Sequence, residues 1–188
     1  MEQRERLHCT VNVFFLDYNP KTCAEMHVSK HVVKMILEYA QLLSTAHRFL
    51  DGVPTVGKSA SGRKKTTYIL SNELDSVLYS ATHINHPSAV WVRRSVENYQ
   101  WLYNMFRDLL QEYTYRYGKT HKCSLLLGAL QYPPNNIPKD VPFTEPTPAM
   151  PDIYKVDGDS ILSYKNYYLG DKTRMFSWKN RPTPSWIT

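Results

Sequence analysis

The chain has 188 residues, 42% hydrophobic and 21% charged, with no low-complexity run; this excludes a disordered or fibrous protein and points to one packed, globular domain. Three cysteines, Cys9, Cys23 and Cys123, form no CxxC pair, so neither a disulfide framework nor a cysteine metal knuckle is expected. A formal net charge of +6 favours an anionic partner, but the longest basic run, Arg63-Lys64-Lys65, is too short to act as a simple electrostatic tail.

In chain order, residues 11–16 (VNVFFL) read as one short strand before the turn residues Asp17, Asn19 and Pro20. Asn19 suits an N-cap and Pro20 a first helical position, which predicts a long helix over 20–50 that stops before Asp51-Gly52. Residues 51–66, rich in Gly, Ser, Lys and Arg, read as an exposed loop, and 67–83 as a shorter helix. His86-Pro87 marks the start of a second long helix over 87–117, with Gly118 as its stop. A short helix is expected over 123–130. Residues 131–151 hold seven of the 12 prolines, too many for regular helix or central strand, and read as an extended wrap. Two closing helices are expected over 160–169 and 172–179. The predicted fold is therefore mainly α, a single domain built on two long helices. No apolar run approaches the roughly 18 residues of a membrane span, and the opening MEQRERLHC is charged, so a cytoplasmic protein is expected.

The first long helix carries the sharpest signal. At 100° per residue, His27, His31, Lys34, Glu38, Gln41 and Thr45 fall in one sector about 80° wide, with Lys30 at its edge. Apolar residues flank this sector on both sides, with Val28, Val32, Met35 and Tyr39 on one and Val33, Leu37 and Ala40 on the other. A helix so patterned is expected to be buried around most of its girth, its polar stripe facing a cleft. His27 and His31 can serve as acid and base, Glu38 can orient a histidine or take a proton, and Lys30 and Lys34 can hold phosphate. The HxxxH spacing resembles helical zinc sites, but no Glu follows the first His and a lysine lies between the pair, so no metal is assigned.

Other constellations extend the theme. His83 and His86 precede a helix start, with Arg93 and Arg94 one to two turns on, an arrangement suited to an anion. Tyr113, Arg116, Tyr117, Lys119 and His121 interleave cations with aromatic rings, as phosphate contacts with base stacking would need. Residues 52–59 (GVPTVGKS) match the P-loop pattern literally. They follow a helix instead of a strand, however, and no later strand ends in a magnesium carboxylate, so no P-loop is expected.

The segments HVSKHVVKMILEYAQLL (27–43), HINHPSAVWVRRS (83–95), EYTYRYGKTHK (112–122), MPDIYK (150–155) and SYKNYY (163–168) together resemble a family of small proteins encoded by phages and large DNA viruses. Some members carry a DNA-glycosylase-type label. The phage pyrimidine-dimer glycosylase uses an N-terminal threonine, which this chain, opening Met-Glu-Gln, does not offer. The resemblance implies a viral setting, in the cytoplasm of an infected host cell. The expected function is binding, with cleavage, of a phosphate-bearing ligand: a nucleotide, a cyclic nucleotide signal or a nucleic acid. The expected chemistry is acid–base, without metal or other cofactor. A non-catalytic sponge for a nucleotide signal and a DNA repair enzyme such as a glycosylase stand as alternatives.

Overall fold

The computed structural model describes residues 11–187, so the expectation for Cys9 lies outside the described residues. The architecture is mainly helical. Among the described residues it comprises α1 (Pro20–Met26), α2 (Ser29–Asp51), a hairpin of β1 (Val53–Lys58) and β2 (Lys64–Ile69), α3 (Leu74–Val77), α4 (Pro87–Val92), α5 (Val96–Tyr117), α6 (Leu127–Leu130) and α7 (Ser160–Asp171). Helix α5 packs against α1 and α2, and α4 lies against α2. Between them lies a core of Phe15, Val32, Ile36, Tyr39, Leu43, Tyr99, Leu102, Phe106, Tyr164 and Tyr168. No helix among the described residues is long and apolar enough to cross a membrane.

Several expected boundaries hold for the reasons the sequence offered. The Asn19 side chain accepts from the backbone N–H groups of Lys21 and Thr22, and Pro20 opens α1. Gly118, at φ +64, ends α5 in the left-handed conformation that a Cβ would disfavour.

Other expectations are corrected. Residues 11–16 are buried but form no strand. Their backbone is satisfied by side chains instead: Phe14 N–H donates to the Tyr39 hydroxyl (3.2 Å), the Cys23 thiol donates to Phe14 O (3.2 Å) and the Ser88 hydroxyl to Val11 O (3.2 Å). The expected helix over 20–50 is broken at His27 and Val28, both extended, with ψ of 132° and 149°. Neither proline nor glycine causes the break. Arg116 takes the carbonyls of Glu25 and His27, Trp178 takes that of Met26, and Ser29 N–H donates to Ser177 O. The expected helix over 87–117 is likewise two helices, because Ser95 caps α5 through Asn98 N–H and the Asn98 amide holds Trp91 O. The loop expected over 51–66 and the helix over 67–83 are replaced by the hairpin and the single turn of α3. The second closing helix is a short 3₁₀ turn, Thr173–Met175. Residues 131–151 form no regular element; Thr144 O accepts from Trp91 Nε1 and Pro146 O from the Ser160 hydroxyl.

Candidate functional site

Helix α2 differs along its length. Its first half exposes Lys30, Val33, Lys34 and Leu37, whereas from Glu38 to Arg48 every residue except Gln41 is buried. The expectation of burial around most of the girth therefore fails for the first half, where Val33 and Leu37 face solvent. Glu38 sits at the join. Its Oε1 meets Lys34 Nζ at 3.1 Å, one turn back, and the Asn12 backbone N–H also donates to the carboxyl. Its Oε2 is buried without any hydrogen-bond partner. Burial raises the Glu38 pKa above the ordinary carboxylate value, against the opposing pull of Lys34 and, more distantly, of His83.

His83 belongs to the segment that covers this stretch of α2. The segment is pinned by Thr45, whose hydroxyl accepts from Thr82 N–H (3.2 Å) and approaches Thr82 O at 3.4 Å. His83 adopts φ +49, in the left-handed region that non-glycine residues rarely occupy, and its Nδ1 meets the Thr82 hydroxyl at 2.8 Å. His86 lies nearby, its Nδ1 accepting from Ser88 N–H as the cap of α4. Its pKa is lowered by burial and by the charge of His83.

On the other side of Glu38, His31 is buried, stacked on Phe14 at 4.2 Å, with its Nδ1 2.7 Å from the Tyr168 hydroxyl. Burial first, then the charges of His27, Lys172 and Lys34, push its pKa down to about 2. His31 is therefore a neutral imidazole at any physiological pH. Within the stripe Lys34 and Glu38 thus form an ion pair, the charge of Lys34 is felt at His31, and that of His83, from a distant segment, is felt at Glu38.

The remaining residues named from the sequence are placed elsewhere. His27 is fully buried, in the break between α1 and α2 instead of on the helix. Its Nδ1–H donates to Cys23 O (2.8 Å), so its Nε2 accepts from the Tyr39 hydroxyl (3.1 Å), which leaves no free nitrogen for chemistry. Burial lowers its pKa to about 4. Arg116, expected to bind phosphate, is buried and committed to Glu112 and to two carbonyls. Arg93 donates to Ile84 O and lies 4.1 Å over the Phe49 ring, while Arg94 is exposed. Lys30 and Tyr117 meet at a separate cavity of about 410 Å³, shared with Arg174 and Phe176. Tyr113 packs against Tyr117 and His121, His121 caps Cys123 N–H, and Lys119 is exposed. No contact joins His27 or His31 to His83 or His86 among the described residues, the one link between the stripe and the 83–86 segment being the charge of His83 acting on Glu38, and the 113–121 segment makes its own contacts elsewhere.

Asn12, hidden in an apolar run, carried no signal in the sequence, and Thr45, grouped with the stripe by its spacing, acts through a segment 37 residues away. His47 is buried, with its Nε2 on the Tyr99 hydroxyl at 2.8 Å and its pKa lowered by burial to about 4. It lines a cavity of about 730 Å³ with Asp51, Glu73 and Tyr132, but no residue singled out by the sequence lies there. Among the described residues, no group of three His, Cys, Asp or Glu side chains is placed to hold a metal ion. No family model, curated protein or solved structure matches the chain.

Proposed function

We propose that this protein binds and turns over a phosphate-bearing ligand by acid–base chemistry centred on Glu38. One observation carries the reading: a buried carboxyl with one oxygen left unpaired, at the point where α2 passes from solvent into the core. A structural carboxylate in such a place would have both oxygens satisfied. One whose pKa is raised by burial holds its proton more tightly than a free carboxyl and is suited to take and return one.

In this reading Glu38 is the proton carrier, Lys34 stabilises negative charge developing on the ligand, and exposed His83 is the complementary acid or base. His31 is neutral and contributes a hydrogen bond, not a charge. His27 positions His31 and the chain break from within the core. The ligand class follows from the +6 net charge and from the lysine beside the carboxyl. A nucleotide, a cyclic nucleotide signal and a nucleic acid share the phosphate chemistry, and the resemblance to phage and viral proteins suits all three.

The test is turnover. The purified protein is incubated separately with cyclic mononucleotides, cyclic dinucleotides, nucleoside triphosphates and a duplex oligonucleotide, and products are followed by mass spectrometry. Glu38→Gln is expected to cut turnover of the accepted ligand by about 10²–10⁴-fold, the usual worth of a general acid–base group. Turnover unchanged in Glu38→Gln would contradict the assignment. Ligand carried through purification and never converted by the wild type would favour the sequestering role.

A further inference from the structure

The β1–β2 hairpin takes no part in the Glu38 site and stands apart from it physically. All six residues of β1 are exposed, and β2 is exposed except near its end. Residues 53–69 contain no acidic side chain and four cations, Lys58, Arg63, Lys64 and Lys65, all at the free end. The register places Lys58 directly opposite Lys64 and Gly57 opposite Lys65. Like charges facing each other across a strand pair destabilise it, and an isolated two-stranded ribbon is marginal to begin with. Among the described residues none of the four has a carboxylate partner.

The base of the ribbon, by contrast, is locked. Arg48 donates to Tyr68 O (2.9 Å) and to Asp75 (2.7 Å), and Phe49 packs on Tyr68. Gly52 permits the close approach, since a Cβ there would lie 2.4 Å from Arg48 O. The tip turns through Ser59–Gly62, with Gly62 at φ +76 and Ser59 N–H donating to Arg63 O. The result is an arm anchored at its base with a charged free end. Because strand side chains alternate, Lys58 and Lys64 lie on one face and Lys65 on the other. Thr55 and Thr67 share the Lys65 face, and Thr66 shares the other. Cations on both faces suit a ribbon lying between two walls of negative charge, not one resting on a flat anionic surface.

We propose that this hairpin is an arm that enters the groove of duplex DNA. The major groove, about 12 Å wide, admits a two-stranded ribbon. The four cations would neutralise phosphates on both walls, and the Ser and Thr hydroxyls would supply short polar contacts. The literal P-loop match at 52–59 then has a physical reading: its Gly-Lys-Ser forms the strand end and turn of the arm and is not a nucleotide cradle. Duplex binding by the arm does not depend on the Glu38 reading, because it involves no turnover.

The test is fluorescence anisotropy of a labelled 20-base-pair DNA duplex titrated with the full chain at several salt concentrations. The wild type is expected to bind with a steep salt dependence and to prefer duplex over a single strand of the same length. Lys58→Ser/Arg63→Ser/Lys64→Ser/Lys65→Ser is expected to lower the slope of log K against log salt by about 2–4, at roughly 0.9 for each phosphate no longer neutralised. It should weaken binding at least about tenfold at low salt, with Tm unchanged or raised as the like-charge pair is relieved. The exposed triple variant Lys21→Ser/Lys122→Ser/Lys139→Ser is the control. Binding by the hairpin variant equal to wild type, a weakening no larger than that of the control, or tighter binding of the single strand would overturn the proposal.

Discussion

Between pH 6.5 and pH 4 the protein is expected to lose most of its stability, because three buried histidines cannot accept protons while the fold is intact. His27 and His47 are held down to about 4 and His31 to about 2, from the ordinary 6.5, in each case chiefly by burial. The sign follows from linkage. The unfolded chain binds these protons as pH falls through 6.5, whereas the folded chain does not, so the stability is present above 6.5 and drains below it. One pKa unit is worth about 1.4 kcal/mol, so the three together remove on the order of 9 kcal/mol by pH 4. That is as large as the whole stability of many domains, about 5–15 kcal/mol. Urea unfolding at a series of pH values should show the midpoint falling steeply below pH 6.5. Replacing any one of the three by Gln should flatten the profile by about a third. A midpoint that stays level from pH 7 to pH 4.5 would contradict the burial of neutral imidazoles.

Arg116→Ala is expected to destabilise the fold by about 3–5 kcal/mol, the usual cost of breaking a buried ion pair. Its side chain is wholly buried, with Nε on Glu112 Oε1 at 2.6 Å, Nη1 on His27 O at 2.9 Å and Nη2 on Glu25 O at 2.8 Å. The substitution strands more than one group: two carbonyls at the α1–α2 break are left without their donor, and Glu112 retains only Arg181, at 3.0 and 2.9 Å. Burial pushes the Glu112 carboxyl up, but the guanidinium groups of Arg181 and Arg116 outweigh it and hold its pKa below the ordinary value. This stability too is present at neutral pH and lost in acid. Lys at position 116 lacks the planar fork that reaches three acceptors at once and should recover little. Thermal unfolding of Arg116→Ala, Arg116→Lys and the double variant Arg116→Met/Glu112→Leu separates these effects. The double variant should recover only part of the stability, since the Glu25 and His27 carbonyls remain without donors. A change of Tm within error for Arg116→Ala would return Arg116 to the role of a surface phosphate contact.

Local chemistry explains what was legible. Asn19, Pro20 and Gly118 act within one turn of their own position, so the start of α1 and the end of α5 were readable. The break at His27 and Val28 was not, because its causes are Arg116, Ser177 and Trp178, all more than 80 residues away. Ser95 was a readable N-cap, obscured by a helical pattern that runs through it without interruption. The hairpin was obscured by its small and basic turn; the Thr66-Thr67-Tyr68-Ile69 run was the available strand signal. The stripe on α2 grouped His31, Lys34 and Glu38, of which Lys34 and Glu38 form an ion pair. It could not show that His27 falls outside the helix, or that His83 reaches the same place by way of Thr82 and Thr45. Periodicity finds a face, whereas pairing across the chain decides which members of that face remain free.

If Glu38 is a working carboxyl held at a cost to the fold, thermal unfolding of wild type and Glu38→Gln from pH 4 to pH 8 tests it most directly. The amide can still accept from Lys34 and from Asn12 N–H, so the structural contacts survive the change. Because burial raises the Glu38 pKa, the wild type should match the variant near pH 4 and lose ground as pH rises through the folded pKa. Glu38→Gln is therefore predicted to have a Tm equal to wild type at pH 4 and higher at pH 7–8. A variant that melts below wild type at neutral pH, with the gap closing in acid, would show a carboxylate that stabilises the fold as an ion pair, and would contradict the claim.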